Sequence, residues 1–201
     1  MTDPQASSVN RRTAFLLFIL FLAPVIAGYL LFYVFPQFQP RGRLNYGTLI
    51  DPARPIPEFH FIDSSGKPVD SSALKKRWSY IYFGGERCDE VCHAKIIQIR
   101  QIRTRLSEKS LRVQRVYIAP DQAAANAAKA VLAAENPDLV FLADDGATGA
   151  RAADFFQPQV ANAIYLTDPM GNWLMVYPPD RAESKGIYKD IQKLLMLSHI
   201  G

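Results

Sequence analysis

Charge disappears from the chain between Ala14 and Phe35, where Leu, Phe, Ile, Val and Ala dominate. At 1.5 Å per residue, a helix over this run spans about 33 Å, enough for a bilayer core. Arg11 and Arg12 precede it, and Tyr29, Tyr33 and Phe35 fall toward its far end, where interfacial aromatics gather. A cleaved signal peptide would have an apolar core of about 7–15 residues and a small-residue cleavage site. Phe32 to Pro36 offers no such site. The pattern predicts an uncleaved anchor over 14–35 behind a cytoplasmic tail, 1–13. Arg41 and Arg43 equal the first arginine pair in number, but Arg11 and Arg12 lie closer to their membrane edge. The bulk of the chain follows the helix, so residues 45–201 are expected to be exported.

Pro36, Pro40, Pro52, Pro55 and Pro57 then remove backbone donors and favour extended forms. They predict a stalk over 36–57, a semi-rigid spacer before a domain at 58–201. Glu58 to Asp63 alternates apolar with polar and ends in Ser-Ser-Gly-Lys-Pro, which predicts a hairpin whose second strand begins at Val69. Trp78 to Phe83 reads as a buried strand, and Asp89 to about Glu108 as a long helix. Leu111 to Ala119 is a strand, and Asp121 caps an Ala-rich helix to Glu135. Leu139 to Ala143 is a strand, and Arg151 to Phe156 a short helix. Ala163 to Thr167 and Trp173 to Tyr177 are strands joined by a turn at Asp168-Pro-Met-Gly171. Glu183 to Leu197 closes the chain as a helix. The order is that of an α/β layered domain. It is the thioredoxin-fold order, with a hairpin added in front and one transmembrane helix before that.

The 201 residues hold one ordinary domain plus this appendage. A hydrophobic fraction of 49% and a charged fraction of 21% are globular values. The net charge is only +4, and no run of like charges points to nucleic acid. Arg100, Arg103 and Arg105 punctuate an isoleucine-rich segment and read as the wet face of an amphipathic helix.

The chemistry sits at Cys88 and Cys92, the only cysteines in the chain. Placed after Gly84-Gly85 at the start of a helix, residues i and i+4 share one face. Two sulfurs there can close a disulfide or hold one soft metal ion; two unrelated core cysteines are the plain alternative. Thiolate is both nucleophile and metal ligand, and a helix N-terminus favours it. An exported setting suits such a pair. His93 follows Cys92 directly, so a regular helix turns it about 100° away; as a third ligand it needs a distorted first turn. His60 and His199 read as surface residues. Met170 falls in a turn and Met175 in a core strand.

Phe59-x-Phe-Ile-Asp63-x-x-Gly66-Lys67-x-Val69, Trp78-x-Tyr-Ile-Tyr-Phe83-Gly84, Cys88-x-x-x-Cys92 and Ala163-Ile-Tyr-Leu-x-Asp168-Pro-x-Gly171 resemble the SCO/SenC proteins. The likeness runs over about residues 56–197. It implies a membrane-anchored thioredoxin-like domain that helps load copper into the Cu-A centre of cytochrome c oxidase. The partner implied is the oxidase subunit carrying that site, and the place is the bacterial inner membrane, with the C-terminal domain in the periplasm.

This chain departs from the pattern in several ways. Asp89 and His93 stand where the family has proline after each cysteine. The family's distal copper histidine would fall at or near Val160, but no His occurs between His93 and His199. The family's acidic residue after the third strand is displaced to Asp121. Ala163 stands where a thioredoxin-type reductase has its cis-proline, and Pro158 is too far upstream. The resemblance therefore implies Cu(I), held by Cys88 and Cys92 with His93 as a third candidate, or maintenance of the Cu-A thiols by the same pair. The alternatives are a thiol–disulfide oxidoreductase, with Cys88 and Cys92 catalytic and no copper, and a structural accessory protein of the oxidase.

Overall fold

A computed structural model describes residues 10–35, 45–144, 146, 149–157, 160–198 and 200. The chain divides into two units, Met1–Arg43 and Leu44–Gly201. In the first, α1 (Arg11–Tyr29) continues as one π-helical stretch, Leu30–Val34. The combined helix has 24 residues, and an 18-residue stretch within it has a mean hydropathy of 2.6. It is long and apolar enough to cross a membrane, as the uncharged run requires.

The second unit is built on one eight-stranded sheet, ordered β1-β8-β7-β4-β5-β6-β2-β3. Its strands are β1 (Thr48–Pro55), β2 (His60–Asp63), β3 (Pro68–Asp70), β4 (Trp78–Phe83), β5 (Val113–Ala119), β6 (Leu139–Ala143), β7 (Ile164–Thr167) and β8 (Asn172–Tyr177). The helices are α2 (Glu90–Thr104), α3 (Gln122–Leu132), α4 (Ala152–Phe155) and α5 (Ser184–Leu197). Strands β4, β5 and β6 are parallel neighbours, and β7 and β8 pair antiparallel. This is the thioredoxin-like core, and the β2–β3 hairpin extends it at the β6 edge.

Alternation along the central strands sends side chains to two cores. Tyr80, Tyr82 and Tyr117 pack with Ile96 and Ile99 of α2, Ala125 and Ala128 of α3, and Ile187 and Ile191 of α5. Ile81, Val116 and Ile118 face the other way, onto Phe61, Phe156 and Trp173. Both faces of β4 and β5 are therefore buried; β4 accordingly reads as a near-continuous apolar run, whereas β5 buries the polar Gln114 and Arg115 along with its apolar residues.

Two boundaries differ from the sequence reading. Residues 48–55, read as part of a stalk, form β1, which pairs antiparallel with β8 at the sheet edge. An edge strand tolerates Pro52 and Pro55 because one side of it needs no donors. The chain leading into β1 is fastened from afar. The buried carboxylate of Asp190 on α5 accepts the Tyr46 N–H at 2.9 Å and the Gly47 N–H at 2.9 Å. In addition, α2 stops at Thr104, and Ser107 takes a positive φ of 52° before β5 begins at Val113.

Candidate functional site

Strand β4 delivers the chain to the site, and Gly84 lets it turn there. The Gly84 N–H still donates to Ile118 O at 2.9 Å, but a Cβ on Gly84 would overlap the hydroxyl and ring of Tyr117. Glycine is thus required by close approach. Five residues later Asp89, with extended backbone, caps α2: its Oδ1 accepts the Cys92 N–H at 2.8 Å. An aspartate there satisfies one orphan donor of the first turn and places negative charge at the positive helix end.

Cys88 therefore lies outside the helix, and only Cys92 is in its first turn. This corrects the reading of both sulfurs on one helical face. Cys88 is free of helical geometry, and its Cα stands 5.3 Å from that of Cys92, with the two joined as a disulfide. The two ends of the bridge differ. Cys92 is 3% exposed and belongs to the core of Tyr82, Tyr117 and Ile96; Cys88 is half-buried at its rim. The Cys88 side of the bridge is thus the more open to solvent.

A cleft of about 420 Å³ opens beside the bridge, lined by Tyr82, Gly84, Arg87, Cys92, Asp144 and Asn162 among others. The Tyr82 hydroxyl donates to Asn162 Oδ1 at 2.7 Å. Asn162 holds a positive φ of 60°, in the turn that leads to β7. Burial, then the neighbouring Tyr117 and the charge of Asp89, push the Tyr82 hydroxyl up to about 12. Burial and Asp89 push Tyr117 up to about 12 as well. Both phenols keep their protons at neutral pH, and of the two only Tyr82 has an acceptor among the described residues. Asp144, at the end of β6, is buried, which raises its pKa; N–H groups at the start of α4 oppose the rise without cancelling it.

The remaining candidates disperse. The His93 imidazole faces Glu135, with Nε2 3.9 Å from the carboxylate. Among the described residues, no group of three or more His, Cys, Asp and Glu side chains lies close enough to hold a metal ion. The structure thus does not bring His93 together with the two sulfurs. His60 lies exposed on β2. Met170 is exposed in the β7–β8 turn, and Met175 is buried, accepting the Tyr177 hydroxyl at 3.4 Å. Asp121 caps α3 through the Ala124 N–H. His199 and Pro158 lie outside the described residues. Tyr82, Tyr117, Asn162 and Asp144 complete the surroundings of the bridge and carried no sequence signal of their own. Tyrosines at alternate positions of a buried strand read as core.

Residues 78–198 match the model of the family described as transmembrane-like, thioredoxin-like, C-terminal domain. The chain belongs to this family. It is also 29% identical over 76 residues to a Stutzerimonas stutzeri protein named for copper binding, a match covering 37% of each chain. The chain thus spans well under two thirds of that relative's length. Among solved structures, copper-bound ScoI of Arabidopsis thaliana matches with a TM-score of 0.57 and 18% identity, over 71% of this chain and 98% of that one. BsSco, described as a member of the Sco family of cytochrome c oxidase assembly proteins with a disulfide switch, matches at 0.54 and 18%, over 74% and 96%. At these identities the structural likeness concerns the fold, and the fold is that of the Sco proteins. The SCO/SenC likeness of the sequence motifs and the fold therefore agree.

Proposed function

We propose that this membrane-anchored domain assists the assembly of cytochrome c oxidase, using Cys88 and Cys92 to carry Cu(I) or to keep the Cu-A thiols reduced. The observation that carries the proposal is the bridge itself. The only two cysteines meet at the mouth of a cleft, one sulfur buried and the other half-exposed. Proteins of this fold are known with copper bound and with a disulfide switch, which supports reading the pair as a thiol and copper site. Opened by a dithiol, the pair presents two soft sulfurs, and Cu(I) accepts such a low-coordinate set. Copper here is cargo. The buried sulfur orients it, and the half-exposed one is the route by which a partner's thiolates take it over. His93, turned to Glu135, contributes nothing to this set.

Location follows from the anchor. We place the domain on the periplasmic side of a bacterial inner membrane, with the oxidase subunit that carries Cu-A as partner. Alkaline phosphatase fused behind Gly201 is then active, and a cytoplasmic reporter at the same point is silent.

Copper is tested by titrating the reduced full-length protein in detergent with Cu(I) against a chromophoric chelator. The expected result is one Cu(I) per chain, abolished in Cys88→Ser and in Cys92→Ser and changed less than twofold in His93→Ala. Val160→His, at the place of the family's distal histidine, is expected to add Cu(II) binding. A second reading rests on the want of a third donor among the described residues: the pair works as a thiol–disulfide oxidoreductase without metal. Absence of Cu(I) binding, together with reversible oxidation of the pair, decides for that reading.

A further inference from the structure

The Tyr117 side chain is fully buried on β5, and its hydroxyl has no hydrogen-bond partner among the described residues. Burying a hydroxyl without a partner costs about 1–3 kcal/mol, so an orphan of this kind calls for a physical reason. Its surroundings supply one. The hydroxyl occupies the space a Gly84 side chain would fill, and Gly84 and Cys92 line the same cleft. Tyr117, Tyr82 and Cys92 share one packed cluster. Tyr117 also feels the charge of Asp89, whose carboxylate sits 2.8 Å from the Cys92 nitrogen. Its neighbour Tyr82, ring centroids 5.9 Å apart, already spends its proton on Asn162. Of these two neighbours, Tyr117 is the phenol with its donor unspent.

We propose that Tyr117 is a positioning residue for the dithiol, its hydroxyl donating to the sulfur of Cys92 once the bridge is opened. The inference rests on the reading that the pair cycles. The step is a two-electron reduction by an external dithiol. The Sγ–Sγ bond breaks, two protons and two electrons pass to the sulfurs, and the reductant closes to its own disulfide. In the oxidised protein a bridged sulfur is a poor acceptor and the hydroxyl stays unpaired. In the reduced protein the buried Cys92 sulfur is a better acceptor, best as thiolate. Tyr117 thus favours the reduced state twice, by a penalty in one form and a bond in the other.

The test is Tyr117→Phe in the full-length protein, with Tyr82→Phe as control. Equilibration with glutathione is expected to show the Tyr117→Phe pair about tenfold more oxidised, a shift of about 30 mV to more negative potential. Denaturant melts of the oxidised and the phosphine-reduced proteins give the same quantity independently. Tyr117→Phe should leave the oxidised form as stable as wild type or more so, and the effect of the substitution on the unfolding constant should be an increase about tenfold larger in the reduced form than in the oxidised one. Tyr82→Phe, losing a bond present in both states, should shift both alike. Equal effects of Tyr117→Phe in the two states, or an unchanged potential, would overturn the proposal. A wild-type bridge that no dithiol opens would instead sink the functional reading. The comparison of melts after phosphine reduction still judges Tyr117.

Discussion

Asp190 offers the sharpest test of how the domain holds its leading segment. Its carboxylate, 3% exposed, accepts Tyr46 N–H at 3.1 and 2.9 Å through its two oxygens and Gly47 N–H at 2.9 Å. The contact is reinforced by packing that only glycine permits: a Cβ at Gly186 would meet the Tyr46 ring, and one at Gly47 the Tyr177 ring. Asp190→Ala leaves two backbone donors without their acceptor, each worth about 1–3 kcal/mol when buried. Gly47 is buried, whereas Tyr46 is exposed and its amide regains water. Relief of the buried charge offsets part of the rest. The net expectation is a loss of about 3 kcal/mol. For the unit Leu44–Gly201 the unfolding entropy is about 0.33 kcal/mol/K, so Tm falls by about 9 °C. Asp190→Asn keeps one acceptor oxygen and should lose about half as much. Thermal and urea melts measure both, and hydrogen exchange at the Tyr46 and Gly47 amides reports the clamp directly. Two variants within about 0.5 kcal/mol of wild type, the scatter of an ordinary surface change, with both amides still protected, would refute the reasoning.

Other outcomes follow from the site and its supports. Asp89→Ala removes the cap on α2 and should cost about 1 kcal/mol in a urea melt, while Asp89→Asn, which can still accept the Cys92 N–H, should cost only a few tenths. Gly84→Ala drives a methyl into Tyr117 and should cost about 1–3 kcal/mol, the range for overpacking a filled core; a variant as stable as wild type would mean the ring yields freely. In the reduced protein, iodoacetamide should modify half-buried Cys88 at least about tenfold faster than Cys92, which is 3% exposed; mass spectrometry of timed samples gives the order. Asp138 is pushed up by burial, but the hydrogen bond and charge of Arg115, with Arg103, hold it below the usual carboxylate range. A depressed folded value gives stability that is present above the unfolded value near 4 and lost as pH falls through the folded one. Asp138→Asn should therefore lower urea midpoints at pH 7 and flatten their fall below about pH 4.

What the sequence determined by itself is whatever depends on neighbours along the chain. The uncharged run from Ala14 to Phe35 specifies an apolar helix wherever it sits, because it carries no charge and most of its residues disfavour water. The same holds for β4, whose apolar run demands burial on both faces, and for Asp121, whose cap needs only the next three residues. The pairing of Cys88 with Cys92 was legible for the same reason, since four residues are a short reach. Only the tertiary structure decided the rest. Strand β1 has almost no buried side chains, so its pattern carried no period, and its place depends on β8 more than a hundred residues away in sequence. Its fastening to Asp190 spans a separation of 144 residues. The direction of His93 was settled by Glu135, and the meaning of Gly84 by Tyr117, which reaches it from the next parallel strand. Periodicity says which face of an element is buried; it says nothing of which distant residue will be waiting there, because that choice is made by the packing of whole elements against each other.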